Sequence, residues 1–181
     1  DTDERQMNVR KDPKPTESRI PADVSARMTS VVFHEKLADE DIDSFFAAFS
    51  RINSIMVTKK TAWSARIGLK AAELKGVKQL WLGACDLAPD DVKAIGKMES
   101  LEVLMLSGNK RIGPALDSLS DLTQLRQLSL REVPIPEFKK IRWLAHNVNL
   151  TSLNLNGTGI GDEAIPTLKA LPKLVHAIVD D

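Results

Sequence analysis

The three histidines and the single cysteine are the residues with the greatest potential for metal binding or nucleophilic chemistry. His34 and His176 fall in the first and last copies of a repeat, six strand spacings apart, which separates them by roughly 29 Å. His146 lies near the end of a predicted helix on another face. Because these histidines do not converge, we expect no metal centre. The lone Cys85 excludes an intramolecular disulfide and a zinc site built from several cysteines.

Acidic residues form three short clusters, at positions 39–41, 90–91 and 162–163. Each cluster falls where a helix is predicted to begin, and carboxylates there complement the positive end of the helix dipole. His176 and Asp180 lie roughly 13 Å apart along one predicted strand, too far for the acid to orient the base of a catalytic triad. The absence of tyrosine excludes phenolic acid–base chemistry. These features predict a protein that is not an enzyme and uses no cofactor.

Charge and hydropathy disfavour two further classes of function. The 181 residues include 25 basic and 25 acidic side chains, so the formal net charge is zero and the chain lacks the positive field that attracts phosphates. No apolar run approaches the roughly 20 residues that a membrane-spanning helix needs. We therefore expect neither a nucleic-acid partner nor a membrane span.

A six-residue frame of the form L-x-x-L-x-L recurs along almost the whole chain. It is clearest at Leu101, Leu104 and Leu106, and the copies start at residues 28, 52, 77, 101, 125, 150 and 174. The steps between these starts are 24 or 25 residues, which predicts about seven structural repeats. Apolar residues spaced by about three precede each frame start and predict a short α or 3₁₀ helix with one buried stripe.

The unit that begins at Leu150 carries the clearest family resemblance, in the run Leu150-Thr151-Ser152-Leu153-Asn154-Leu155-Asn156-Gly157-Thr158-Gly159-Ile160-Gly161-Asp162-Glu163. This run resembles the 24-residue bacterial type of the leucine-rich repeat family, and the resemblance covers about residues 28–181. It implies an α/β solenoid with a parallel sheet on the concave face and short helices on the convex face. It also implies a buried polar residue in each bend, a place held here by Asn109, Thr158 and Cys85, but not by Val133, Lys60 or Lys36.

The domain organisation predicted from composition is a segment 1–24 followed by a repeat domain over 25–181. The first segment is rich in charge and proline and poor in apolar residues, which favours a mobile tail. The alternative is an N-terminal cap, because a solenoid needs a polar cover over its open ends.

Strand alternation assigns the residues between the frame leucines to the concave face. The predicted partner-binding residues on that face are Val32, Met56, Gln79, Trp81, Val103, Met105, Arg131 and Asn154. Trp81 is the expected anchor, because an exposed group of Trp, Met and Val is unfavourable unless a partner covers it. Trp63 and Trp143 are expected to pack between repeats, and Cys85 to be buried and inert.

The sequence thus predicts a non-enzymatic module that binds a protein or peptide on its concave face around Trp81. The alternatives are coverage of that patch by the chain's own tail, or a structural subunit or homo-oligomer in which it is permanently covered. The identity of the partner does not follow from the sequence. Localisation stays open between a cytoplasmic protein and one exported after removal of a signal peptide, because the chain begins at Asp1.

Overall fold

Eight strands alternate with short helices along this chain. The computed structural model describes residues 6–9, 27–58 and 62–179, with the backbone alone for residues 6–9. The strands are β1 (Gln6–Val9), β2 (Ser30–Phe33), β3 (Ser54–Val57), β4 (Gln79–Trp81), β5 (Val103–Met105), β6 (Gln127–Ser129), β7 (Ser152–Asn154) and β8 (His176–Ile178).

The helical segments between the strands are short, and they change type along the chain. The α-helices are α1 (Ile42–Ala48), α2 (Ala65–Glu73), α3 (Pro89–Ile95) and α4 (Ile165–Lys169), and the 3₁₀ helices are η1 (Gly113–Leu119), η2 (Phe138–His146) and η3 (Asp162–Ala164). Acidic residues lie in the first turns of α3 and η3, as predicted. The Asp91 carboxylate accepts a hydrogen bond from the backbone N–H of Ala88 at 2.7 Å, so it caps the start of α3.

All eight strands form one parallel sheet in sequential order, from β1 to β8. Each strand pairs with the next in a register set by the repeat, so that Leu80 lies beside Leu104 and Leu104 beside Leu128. Parallel strands joined by helical crossovers place the helices in a second layer on one side of the sheet. The predicted α/β solenoid of repeats with a parallel sheet and short helices is confirmed.

The core lies between the sheet and the helical layer. Leu80, Leu104 and Leu128 are almost completely buried, as are the apolar stripes of the helices that cross behind them. At the N-terminal end the core is aromatic, where the Phe45 ring lies 5.4 Å from that of Phe33 and 4.8 Å from that of Phe49. Because no single unit could bury its apolar side alone, the stacking of neighbours stabilises every strand.

Strand β1 is an addition to the seven strands that the sequence analysis predicts. The backbone of Gln6–Val9 pairs with Ser30–Phe33 in the same parallel register as the later strands. Met7 and Val9 precede Val31 and Phe33 by 24 residues, which is the step of the repeat. Residues 10–26 lie outside the described part of the chain, so the predicted tail or cap over 1–24 and its boundary at residue 25 stay predictions.

The bends that follow the strands are held by buried residues at one repeated position, as the resemblance implies. Asn109 donates from Nδ2 to the carbonyls of Leu82 and Leu106, at 2.8 and 2.7 Å, and accepts from the N–H of Leu87 at 3.1 Å. Thr158 donates to the Leu155 carbonyl at 2.6 Å. Val133, which departs from the polar pattern, is also fully buried.

Candidate binding face on the sheet

The sheet face turned away from the helices carries the predicted binding residues, and we call it the strand face. Alternation along β4 and β5 buries Leu80 and Leu104 in the core and turns Trp81 and Met105 outward, where both are partly exposed. Met56 lies beside Trp81, and Trp81 beside Met105, in the strand register. Neighbouring strands are about 4.8 Å apart, so these three large side chains are close neighbours.

Four partly exposed residues therefore form a continuous apolar patch on the strand face: Met56, Trp81, Val103 and Met105. Gln79 borders this patch, because it lies on the same face as Trp81 and pairs in register with Val103. Large apolar groups that remain partly in contact with water on a solvated sheet face favour burial by another molecule.

Val32 is predicted to be part of this surface, but its position differs. It lies on β2 beside Met56, yet only 3% of its surface is exposed. The sequence analysis treats β2 as the first strand, whereas β2 is flanked by β1 on one side and β3 on the other. Val32 is thus a buried residue in this structure and adds no accessible area to the apolar patch.

The indole of Trp81 differs from the other two indoles. Trp63 and Trp143 are buried, with 6% and 7% of their surfaces exposed, which confirms their predicted packing role. Trp143 donates from Nε1 to the Lys140 carbonyl at 3.1 Å, and Trp63 packs closely on Gly68 of α2. Among the described residues, the Trp81 Nε1–H has no acceptor. A partly exposed indole with an unused donor can pack against a partner and also hydrogen-bond to it.

Charged side chains at the amino ends of β4 to β6 neutralise one another. Glu102 accepts a hydrogen bond from Lys78 Nζ at 2.7 Å and forms an ion pair with Arg126 Nε at 3.2 Å. The Lys78 hydrogen bond is the main cause that holds the pKa of Glu102 below its ordinary value. The apolar patch is therefore bordered by a paired column of charges and not by a field that selects a charged ligand.

The remaining predicted binding residues lie toward the other end of the strand face. Asn154 is on β7, two strands beyond β5, and its Oδ1 accepts from the N–H of Asn156 at 3.0 Å. Arg131 follows β6 and pairs with Glu132 at 2.7 Å. Both are engaged within their own repeats. The strand face thus divides into an apolar half over β3 to β5 and a polar half over β6 and β7.

A hydrogen bond that the sequence analysis missed marks the boundary between these halves. The hydroxyls of Ser107 and Ser129 lie 2.8 Å apart, joining β6 to the residues that follow β5. Both serines appear in the outward rows of the strand pattern, one residue pair away from Met105. The spacing of the repeat could have identified this pair, since 22 residues separate the two partners.

Cys85 and the histidines show no sign of joint chemistry in the described part of the chain. Burial raises the pKa of the Cys85 thiol to about 11, and its Sγ lies 3.4 Å from the Gly83 carbonyl oxygen, so the predicted buried, inert thiol is confirmed. His34 contacts the Thr58 hydroxyl at 2.8 Å. Within the described residues, no three His, Cys, Asp or Glu side chains are grouped as metal ligands would be.

Comparison with known proteins identifies the repeat. A family model described as Leucine Rich repeat matches residues 146–165, from the end of η2 through β7 to the start of α4. A comparison with curated proteins finds no match. None of the helices in the described ranges has both the length and the apolar character needed to cross a bilayer. The matched unit, and the same strand–bend–helix unit repeated in register along the sheet, make this chain a member of the leucine-rich repeat family.

Proposed function

We propose that this protein is a non-enzymatic interaction module that binds a protein or peptide on its strand face around Trp81. Membership of the leucine-rich repeat family supports a protein partner. The observation that carries the proposal is the position of Trp81, which is partly exposed between Met56 and Met105 on adjacent strands.

The chemistry of the apolar patch defines what such a partner must offer. Trp81 and the two methionines favour apolar side chains, and methionine adapts its shape to different partners. The free Nε1–H of Trp81 favours a carbonyl or other acceptor on the partner. Because Lys78, Glu102 and Arg126 satisfy one another, the contact needs no net charge on the partner's central segment.

A capture experiment with matched variants tests this proposal. Wild type, Trp81→Glu and Ser152→Glu are used as baits, and the retained proteins are identified by mass spectrometry. Both variants place a carboxylate on the strand face, but Ser152 lies on β7 in the polar half. We expect Trp81→Glu to lose the partner while Ser152→Glu keeps it, because only the first introduces a charge into the apolar patch.

The folded state of each variant is checked by circular dichroism and thermal unfolding. A folded Trp81→Glu that still retains the same partner would contradict the proposal. Unfolding of Trp81→Glu would instead assign Trp81 to the core. In that case Trp81→Gln, which removes the indole without adding charge, has to weaken the captured complex at least tenfold for the proposal to stand.

Solution mass separates this function from the structural alternative, in which the apolar patch is permanently covered in a homo-oligomer. An oligomer that dissociates in Trp81→Glu would support the alternative. A chain whose association state is the same in wild type and Trp81→Glu keeps the apolar patch available for a different protein.

A further inference from the structure

The outer edge of β8 is the second surface that calls for a partner. Within the described residues β8 pairs only with β7, on one side. His176 donates to the Thr151 carbonyl at 3.1 Å, and Ile178 accepts from the N–H of Leu155 at 2.7 Å. Both hydrogen bonds point toward β7, so the N–H and C=O of Ala177, the residue between them, point away from the sheet.

The residues around this edge are apolar and exposed. Val175 is 73% exposed and Ile178 is 52% exposed. Ala177 occupies the frame position that is almost completely buried as Leu104, Leu128 and Leu153 in the preceding units, but it is exposed here. A strand edge with open hydrogen-bonding groups and apolar flanks is a template for pairing with another strand.

We propose that β8 pairs with β8 of a second copy of this chain, antiparallel about a two-fold axis through Ala177. The two parallel sheets then join into one, with both helical layers on the same side. Closed two-fold symmetry is the commonest arrangement of soluble oligomers, because each copy presents the same self-complementary surface.

The sequence of the edge fits this symmetry. A two-fold axis at Ala177 places Val175 of each copy opposite Val179 of the other, and Ala177 opposite its own equivalent. These three residues alternate with those bonded to β7, so their backbone groups meet across the axis and their apolar side chains lie on the same side of the sheet. The two layers of apolar side chains thus become continuous.

Charge does not oppose this contact in the described part of the edge. Lys173, the cation nearest to β8, directs its Nζ to the Asn149 side chain at 2.8 Å, back toward the preceding repeat. The paired segment is short, so the buried area falls near the low end of specific interfaces, about 1,200 Å². We therefore expect a weak dimer, with a dissociation constant on the order of 10 μM.

Sedimentation velocity of the full 181-residue chain, from about 1 to about 300 μM, tests the proposal. We expect the mass to rise with concentration from one chain to two. Ala177→Pro removes an outward N–H that makes no bond to β7, and proline is tolerated at such edge positions. Val175→Lys places a charge opposite an apolar residue. Both variants should stay monomeric at the highest concentration and keep the thermal midpoint of the dilute wild type.

Leu69→Lys is the matched control, because Leu69 on α2 is also exposed and apolar but lies far from β8. It should dimerise like the wild type, and so should Trp81→Glu. The proposal is overturned if the wild type is monomeric throughout, if both edge variants still dimerise, or if the mass grows beyond two chains. Growth beyond two chains would indicate head-to-tail stacking of β8 on β1. The outcome is independent of partner capture on the strand face.

Discussion

Asn109 in the bend after β5 and Asn147 at the end of η2 are both completely buried, but their surroundings differ. Every polar atom of the Asn109 side chain is hydrogen-bonded to backbone of its own or the preceding repeat. Asn147 makes one long bond from Nδ2 to the Trp143 carbonyl, at 3.5 Å, and its Oδ1 has no partner in the described part of the protein.

The difference teaches which positions of the repeat require a polar residue. Asn109 stands where the bend leaves backbone groups without partners, so its amide replaces the hydrogen bonds of a regular element. Asn147 stands three residues before a frame start, where other units have Met98, Leu122 or Leu171 in the core. A buried polar side chain stabilises the fold only where its atoms are paired.

Replacing Asn109 by leucine should have the largest effect on this comparison. Asn109→Leu leaves the carbonyls of Leu82 and Leu106 and the N–H of Leu87 without their side-chain partner. We expect the free energy of unfolding to fall by about 3 kcal/mol. Urea denaturation at constant m-value measures this change. A loss under about 1 kcal/mol would mean that the bend satisfies these groups by other means.

The same substitution at Asn147 should have the opposite sign. Asn147→Leu removes an unpaired buried oxygen and supplies an apolar side chain of similar size, so we expect the free energy of unfolding to rise by about 1–2 kcal/mol. The two Asn→Leu variants serve as controls for each other under identical urea conditions. A decrease at Asn147 would show that its Oδ1 is hydrogen-bonded in solution.

Cys85 holds the Asn109 position one repeat earlier and gives the smallest effect. Its pKa is raised from 9.0 to about 11 by burial, so the native state keeps the thiol proton where the unfolded state has lost it. The thiol should react slowly with thiol reagents at about pH 8 in the native state and quickly when unfolded.

Stability should also respond to this thiol at high pH. The contribution of Cys85 is complete below pH 9.0 and is lost as the pH rises to about 11. Comparing the pH dependence of unfolding with that of Cys85→Ala isolates the thiol from the lysines that titrate in the same range. Rapid labelling of the native protein would contradict the burial of Cys85.

The repeat step accounts for most of what the sequence could predict. It assigned strands β2 to β8, their register and the outward position of Trp81, because a period of 24 or 25 residues fixes which side chains share a column. It missed β1, since Glu4 interrupts the apolar frame before Met7 and Val9. The burial of Val32 was missed for the same reason, because β2 was treated as the edge of the sheet. The sequence marked Asn147 as a departure, but the lack of a partner for its oxygen depends on atomic positions.

The two longer repeats have a consequence for engineering. The pairs Ser54–Gln79 and Gln127–Ser152 span 25 residues where the other strand pairs span 24, yet the ladders remain continuous. The helix-side connections thus absorb a change in length without shifting the sheet. Lys75 and Gly76 lie exposed in one of these connections, and Lys75 has a positive φ of 54°. This junction is suited to an inserted epitope tag or a circularly permuted reporter.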